Sequence, residues 1–273
     1  MAQQEQWQLA GNAPEIYARE LVPAIFGPWA PVLVDLADPV TGERVIDVAC
    51  GTGAVARTAA QRVGLAGRVI GIDINPGMLA VARSQSTPQA EFALIEWREA
   101  SADALPAPDE SCDIVYCQLG LQYFPDRAAA LTEMRRVLAR NGRLALLVWR
   151  SIDHSPGFAA LAEALDRHVS AAAGAIMRAP FVMEDTQEIH ALVAAAGFRE
   201  IAISQRVGSV RFASIDRMVQ CQVAGSPLAS HVAQVDEDKR ASLLAQVNAS
   251  LGKYVGNDGL SFPIAAHLIR AII

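Results

Sequence analysis

The run Val45–Gly53, V-I-D-V-A-C-G-T-G, constrains this chain more than any other stretch. Val45 to Ala49 is apolar except for one acid, Asp47. A tight Cys50-Gly51-Thr52-Gly53 turn follows. Val55, Ala56, Ala59, Ala60 and Val63 then recur along one helical stripe. The pattern predicts strand, glycine turn, helix. An apolar strand of this kind suits a parallel sheet with helices on both faces. The glycines let the backbone turn sharply and let a ligand approach it closely. The first turn of the helix offers unpaired N–H groups to that ligand.

A second acid adds to the motif. Val69-Ile70-Gly71-Ile72-Asp73 reads as the next strand, and Asp73 lies about 20 residues past the glycines, the position of the ribose-binding acid in nucleotide folds. Gly51-Thr52-Gly53-Ala54-Val55-Ala56 also satisfies the G-x-G-x-x-G/A spacing of nicotinamide enzymes. A nucleoside ligand is expected, and the fingerprint alone does not say which one.

The 273 residues allow one large α/β domain with insertions or two small domains. A net charge of −6 and the lack of a basic run disfavour nucleic acid as a partner. Cys50, Cys112, Cys117 and Cys221 show neither a C-x-x-C pair nor zinc spacing, so buried free thiols are expected and no metal site. Met1-Ala2-Gln3-Gln4-Glu5-Gln6 is polar, unlike a secretory leader, and no uncharged apolar run reaches the ~18 residues of a membrane span. The expected location is the cytoplasm.

Pro14 to Ala37 reads as helix broken by Pro23, Pro28 and Pro31, enough to cap a sheet before its first strand. Asn75-Pro76 starts a helix after Asp73. Phe92–Trp97, Cys112–Cys117 and Leu144–Val148 are predicted strands three to five, with Asn141-Gly142 closing the helix before the fifth. The alternation calls for a doubly wound, mostly parallel sheet. Later come helices from Pro156, from Thr186 and from Ser214, and two strands, Glu200–Phe212 and Phe262–Ile273. The expectation is a Rossmann-like, seven-stranded α/β sheet with an antiparallel edge pair. It forms a single domain over 1–273: a helical cap at 1–40, a cofactor-binding core at 41–151, and late strands at 152–273 with helical insertions near 155–183 and 214–256.

In motif order the chain resembles class I S-adenosylmethionine-dependent methyltransferases, in the branch of the ubiquinone and menaquinone enzymes. Val45–Gly53 resembles the glycine motif that holds the methionine part of the cofactor. That implies contacts from Asp47, Ala49, Gly51, Thr52 and Gly53. Asp73 matches the acid on the ribose hydroxyls, with Ile74 and Met78 near the adenine. Ala102-Asp103-Ala104 resembles the adenine loop, with Asp103 accepting from the exocyclic amine. Cys117-Gln118-Leu119 through Phe124, then Arg136-Val137-Leu138 and Asn141-Gly142-Arg143-Leu144, resembles the fourth- and fifth-strand region, and places Gln118 at the cofactor. The family often has Pro-Gly-Gly before the fifth strand; this chain has Arg140-Asn141-Gly142.

The resemblance implies S-adenosylmethionine as cofactor and methyl transfer to oxygen or carbon of a small organic acceptor. Two alternatives stand beside it: an NAD(P)-dependent oxidoreductase, and a cofactor-binding protein of this fold without transferase activity. Two features discriminate against the first: a carboxylate beside the turn, Asp47, suits a cationic ligand better than a pyrophosphate, and the Asp103 loop has no role in the dinucleotide fingerprint. Methyl transfer to a hydroxyl often needs a base. His154, in the loop after the fifth strand, is the candidate, and Tyr17 the second if the N-terminal helices cover the cofactor.

Overall fold

The computed structural model describes residues 11–85 and 91–273. Its centre is one mixed sheet of eight strands. In chain order they are β1 (Arg44–Val48), β2 (Arg68–Asp73), β3 (Ile95–Glu99), β4 (Cys112–Gln118), β5 (Leu138–Trp149), β6 (Arg199–Phe212), β7 (Val255–Gly256) and β8 (Gly259–Ile272). The spatial order is β3-β2-β1-β4-β5-β8-β6, and the two-residue β7 pairs only with β8. Pairings among β1 to β5 are parallel. β8 runs antiparallel to both β5 and β6, so it alone among the long strands is reversed, and β6 points the same way as the first five. The expected antiparallel pair is thus one inserted strand between two parallel ones. A dinucleotide-binding sheet of order 3-2-1-4-5-6 has no such insertion.

The parallel core is buried on both faces, as the apolar runs require. Val45, Ile46, Val48, Ile114, Val115 and Leu146 are all at most 1% exposed. The Arg44 guanidinium donates to both oxygens of Asp113, at 3.0 and 2.7 Å, and fixes the start of β1 beside β4. Asp47 stands opposite Gly71 on one side and Tyr116 on the other.

Local chemistry explains the helix starts. Asn75 accepts from the Gly77 and Met78 N–H groups and begins Pro76–Ser84, where the proline gives up an N–H that had no partner anyway. Asp126 caps Arg127–Val137 through Ala129 N–H. Pro28 and Pro31 sit in the first turns of Gly27–Trp29 and Ala30–Leu36 for the same reason. Pro23 does not break the chain as expected. It lies inside the wide-turned segment Tyr17–Phe26, whose i→i+5 bonding absorbs it.

Three expectations shift. The third strand begins at Ile95, leaving Leu94 81% exposed. The helix expected from Pro156 is two, Pro156–His168 and Ala171–Arg178, because Ser170 caps a new start through Ala173 N–H. Asn141-Gly142 does not cap a helix. That helix ends at Val137 and leads straight into β5. Asn141, at φ 63°, instead lies in an irregular part of β5, where register slips against β4 between Cys112 and Ile114.

The segment Tyr17–Phe26 and parts of the helices after β5 and β6 lie over the carboxyl ends of β1, β2 and β4. Glu20 forms an ion pair with Arg217, linking Tyr17–Phe26 to the helix Ile215–Ala224. Gln118 Nε2 donates to the Phe26 carbonyl at 3.0 Å, linking the same segment to the end of β4. Among the described residues, no helix is long and apolar enough to cross a membrane.

Candidate active site

Two non-glycine residues take left-handed backbone where strands end: Ala49 after β1, at φ 56°, and Leu119 after β4, at φ 60°. Each costs about 1–2 kcal/mol in an L-residue. Both line a cavity of about 270 Å³ at the carboxyl edge of the sheet, where open α/β sheets take ligands. Gly120 lies against the same turn, and a Cβ there would come within 2.7 Å of Ala49 Cβ and 2.8 Å of Cys117 Sγ.

The Cys50-Gly51-Thr52-Gly53 turn uses its glycines in different ways. Gly51 and Gly53 are both left-handed, at φ 54° and 86°. A Cβ on Gly51 would meet only open space, so its backbone faces the cavity. A Cβ on Gly53 would overlap the Trp97 ring, so Gly53 serves packing between turn and sheet.

Asp73 holds this turn. Its Oδ2 accepts from Gly51 N–H at 2.7 Å and its Oδ1 from Asn75 N–H at 2.9 Å. Burial pushes its pKa up, and the N–H groups of Asn75, Gly51 and Ile74 oppose that. Ile74 and Met78 line the cavity beside it, as does Ala102.

Asp47 lies deeper, 1% exposed. Its Oδ2 accepts from Ala56 N–H at 2.9 Å; its Oδ1 has no partner among the described residues. Burial raises its pKa to about 8, against the lowering effect of the Ala56 bond. It lines a recess of about 40 Å³ with Thr52 and Gln118. Gln118 Oε1 is also buried and unpartnered there. Tyr17 and Phe26, stacked with ring centroids 5.0 Å apart, line both the recess and the larger cavity.

The individual residues at the other end of the cavity were not legible in the sequence. Trp149, Phe158, Ile176, Met177 and Phe181 converge there from β5 and the helices after it, with Gln222 and Ser226 from the last helical insertion. Phe158 and Phe181 are in tilted contact at 5.7 Å, and Trp149 meets Trp29 edge-on at 5.4 Å. These residues are far apart in the chain, and each looks like ordinary core until the fold assembles them.

Four expected residues do not line either space. Gly53 lies under Trp97. Asp103 and Ala104 are exposed, because the chain folds back in a turn, Ala104 N–H to Ser101 carbonyl at 3.2 Å, that carries both outward. His154 is also exposed and outside the cavity. After Trp149 the chain stays beside β8, with Arg150 N–H on the Ala265 carbonyl, and turns only at Ile152–His154, beyond the rim. Its expected role as the base is therefore corrected. Tyr17, the second candidate, does line the cavity; burial, then Tyr123 and Asp73, hold its hydroxyl protonated well above the usual range. Among the described residues no group of three or more histidines, cysteines or acids is placed to hold a metal ion.

Residues 46–146 match the family model for a methyltransferase domain. The ubiquinone/menaquinone biosynthesis C-methyltransferase UbiE of Xanthomonas campestris is 40% identical over 124 residues, 45% of this chain and 49% of that protein. The aklanonic acid methyltransferase DauC of a Streptomyces species is 39% identical over 120 residues, 44% of this chain and 54% of that one. The chain thus spans about half the length of the curated relatives it matches. Among solved structures, phosphoethanolamine N-methyltransferase 2 of Haemonchus contortus, in complex with phosphomonomethylethanolamine and S-adenosylhomocysteine, superposes with a TM-score of 0.57 at 16% identity, over 95% of this chain and 57% of that one. Residues 46–146 thus match a methyltransferase domain, set in a chain that shares the fold of that solved methyltransferase.

Proposed function

We propose that the protein transfers a methyl group from S-adenosylmethionine to a small, largely apolar organic acceptor. One observation carries the reading. Asp47 Oδ1 and Gln118 Oε1, both buried and both without a partner among the described residues, line the same small recess beside the glycine turn. Buried polar atoms without partners cost free energy until something pairs with them. An α-ammonium group supplies several donors and a positive charge; the pyrophosphate of a dinucleotide supplies neither.

Asp47, Gln118, Ala49, Gly51 and Thr52 would hold the amino-acid end of the cofactor. Asp73 has lone pairs left for ribose hydroxyls, and Ile74, Met78 and Ala102 would pack on the base. Asp103 stands next to that wall and would reach an exocyclic amine only by a rotation of its turn. The cofactor, when bound, supplies an electrophilic methyl carbon and its leaving group. The chain orients the acceptor and excludes water beneath Tyr17–Phe26 and Ile215–Ala224. The helical roof, the apolar lining of the cavity and the net charge of −6 favour a small molecule over nucleic acid. Four buried free thiols fit a reducing compartment, the cytoplasm.

Calorimetry with S-adenosylhomocysteine and with NAD tests the cofactor. Micromolar binding of the first and none of the second is expected. The reverse would overturn the assignment. Methyl-labelled cofactor incubated with aromatic and polyketide-like acids, phenols and enols tests transfer.

A further inference from the structure

Among the described residues, the acceptor end of the cavity has donors and aromatic walls but no base. Among the described residues that line the whole cavity, the titratable ones are Tyr17, Asp73 and Tyr123. Asp73 is engaged at both oxygens by backbone N–H groups. Among the described lining residues there is no histidine, lysine, arginine, glutamate or cysteine, and His154 is outside the lining.

Besides Tyr123, whose hydroxyl Gln122 engages, two hydrogen-bonding side chains face the space. Gln222 is 7% exposed, lines the cavity, and makes no side-chain hydrogen bond among the described residues. The residue is buried, and its carboxamide is left open to a ligand in the cavity. The Tyr17 hydroxyl is the second, held as a neutral donor. Ser226 is already used, bonding the Gln222 carbonyl and receiving the Leu228 N–H. Everything else at this end is apolar or aromatic.

We infer that the acceptor is an aromatic organic anion, a carboxylate or an enolate, that enters already ionised and is oriented by Gln222 and Tyr17. The inference rests on the cofactor reading above. In the transfer step a lone pair of the anion forms the bond to the methyl carbon. The carbon–sulfur bond breaks, and its electron pair stays on sulfur. No proton moves, so no base is needed. Cation and anion become two neutral centres, and an apolar lining favours a step that dissipates charge. The carboxamide N–H and the phenol O–H each donate to the anion's oxygen, which fixes its face toward the methyl group.

The test uses the whole protein loaded with sinefungin, a charged, unreactive analogue of the cofactor. Binding of 2-naphthoic acid is compared with that of 2-naphthalenemethanol, the same shape without the charge. The acid is expected to bind at least about tenfold more tightly, without proton uptake, and Gln222→Leu to weaken it about tenfold while leaving sinefungin affinity unchanged. Gln222→Glu is expected to abolish the preference by setting like charges together. Equal or tighter binding of the alcohol, proton uptake with the acid, or no binding of the acid at millimolar concentration would overturn the inference alone. Failure of sinefungin to bind would overturn the cofactor reading beneath it.

Discussion

The backbone N–H of Gly51 donates to Asp73 Oδ2 at 2.7 Å, joining the turn after β1 to the end of β2. The carboxylate therefore shapes the glycine turn before any ligand arrives. Asp73→Ala is expected to weaken S-adenosylhomocysteine binding by about 1–3 kcal/mol, through lost ribose contacts and an unsupported turn. The variant should also melt earlier without ligand, which separates the turn's share from the ribose's. Calorimetry and thermal melts measure the two.

Asp47 makes cofactor binding depend on pH. Its pKa near 8 leaves it mostly protonated in the free protein at neutral pH. An ammonium group beside Oδ1 would favour the charged form, so binding should release a proton and strengthen as pH rises from about 6 to 8. Titration calorimetry in buffers of different ionisation enthalpy reads that proton. The sign for folding is opposite. An acid whose folded pKa is raised holds a proton that the unfolded chain has lost, so the free protein loses stability as pH rises from about 4 to about 8. Asp47→Asn should remove that loss and weaken cofactor binding by roughly 10- to 100-fold.

The two glycines of the turn should respond differently. Gly51→Ala introduces left-handed strain of about 1–2 kcal/mol and sets a methyl group in the ligand space, so cofactor affinity should fall more than stability. Gly53→Ala adds a collision with Trp97 to the same strain and should lower stability by roughly 2–4 kcal/mol. Denaturant melts and calorimetry on both variants test the contrast.

His154 is exposed and outside the cavity, so His154→Ala should stay within about twofold of the parent in turnover. Tyr17→Phe keeps the stacking on Phe26 but removes a cavity donor, and turnover should fall roughly tenfold with cofactor affinity little changed. Steady-state rates with labelled cofactor decide both.

The half of the site built by consecutive sequence was legible in advance. Asp47, Gly51 and Asp73 sit at strand ends, where a short apolar run and a turn announce themselves. His154 misled because a loop after a strand reads as the ligand edge, while the extra pairing of Arg150 with Ala265 that carries it past the rim has no local signal. Ala49 and Leu119 take left-handed backbone that neither residue type advertises. Gln222, Phe158 and Phe181 meet only through tertiary folding, so their spacing encodes nothing about the cavity. The reversed strand showed as apolar sequence, but its place between β5 and β6 depends on topology.

That placement also governs how the chain is assembled. β5 and β6 are joined laterally only through β8, which is synthesised after both. Until Gly259–Ile272 emerges from the ribosome, β5 has an open apolar border and β6 has nothing to pair with. Contacts this distant in sequence are slow to close, and an unpaired border is where nascent chains stick to one another. A chain halted just before Gly259 would carry every residue of the glycine turn and still be a ward of the chaperones.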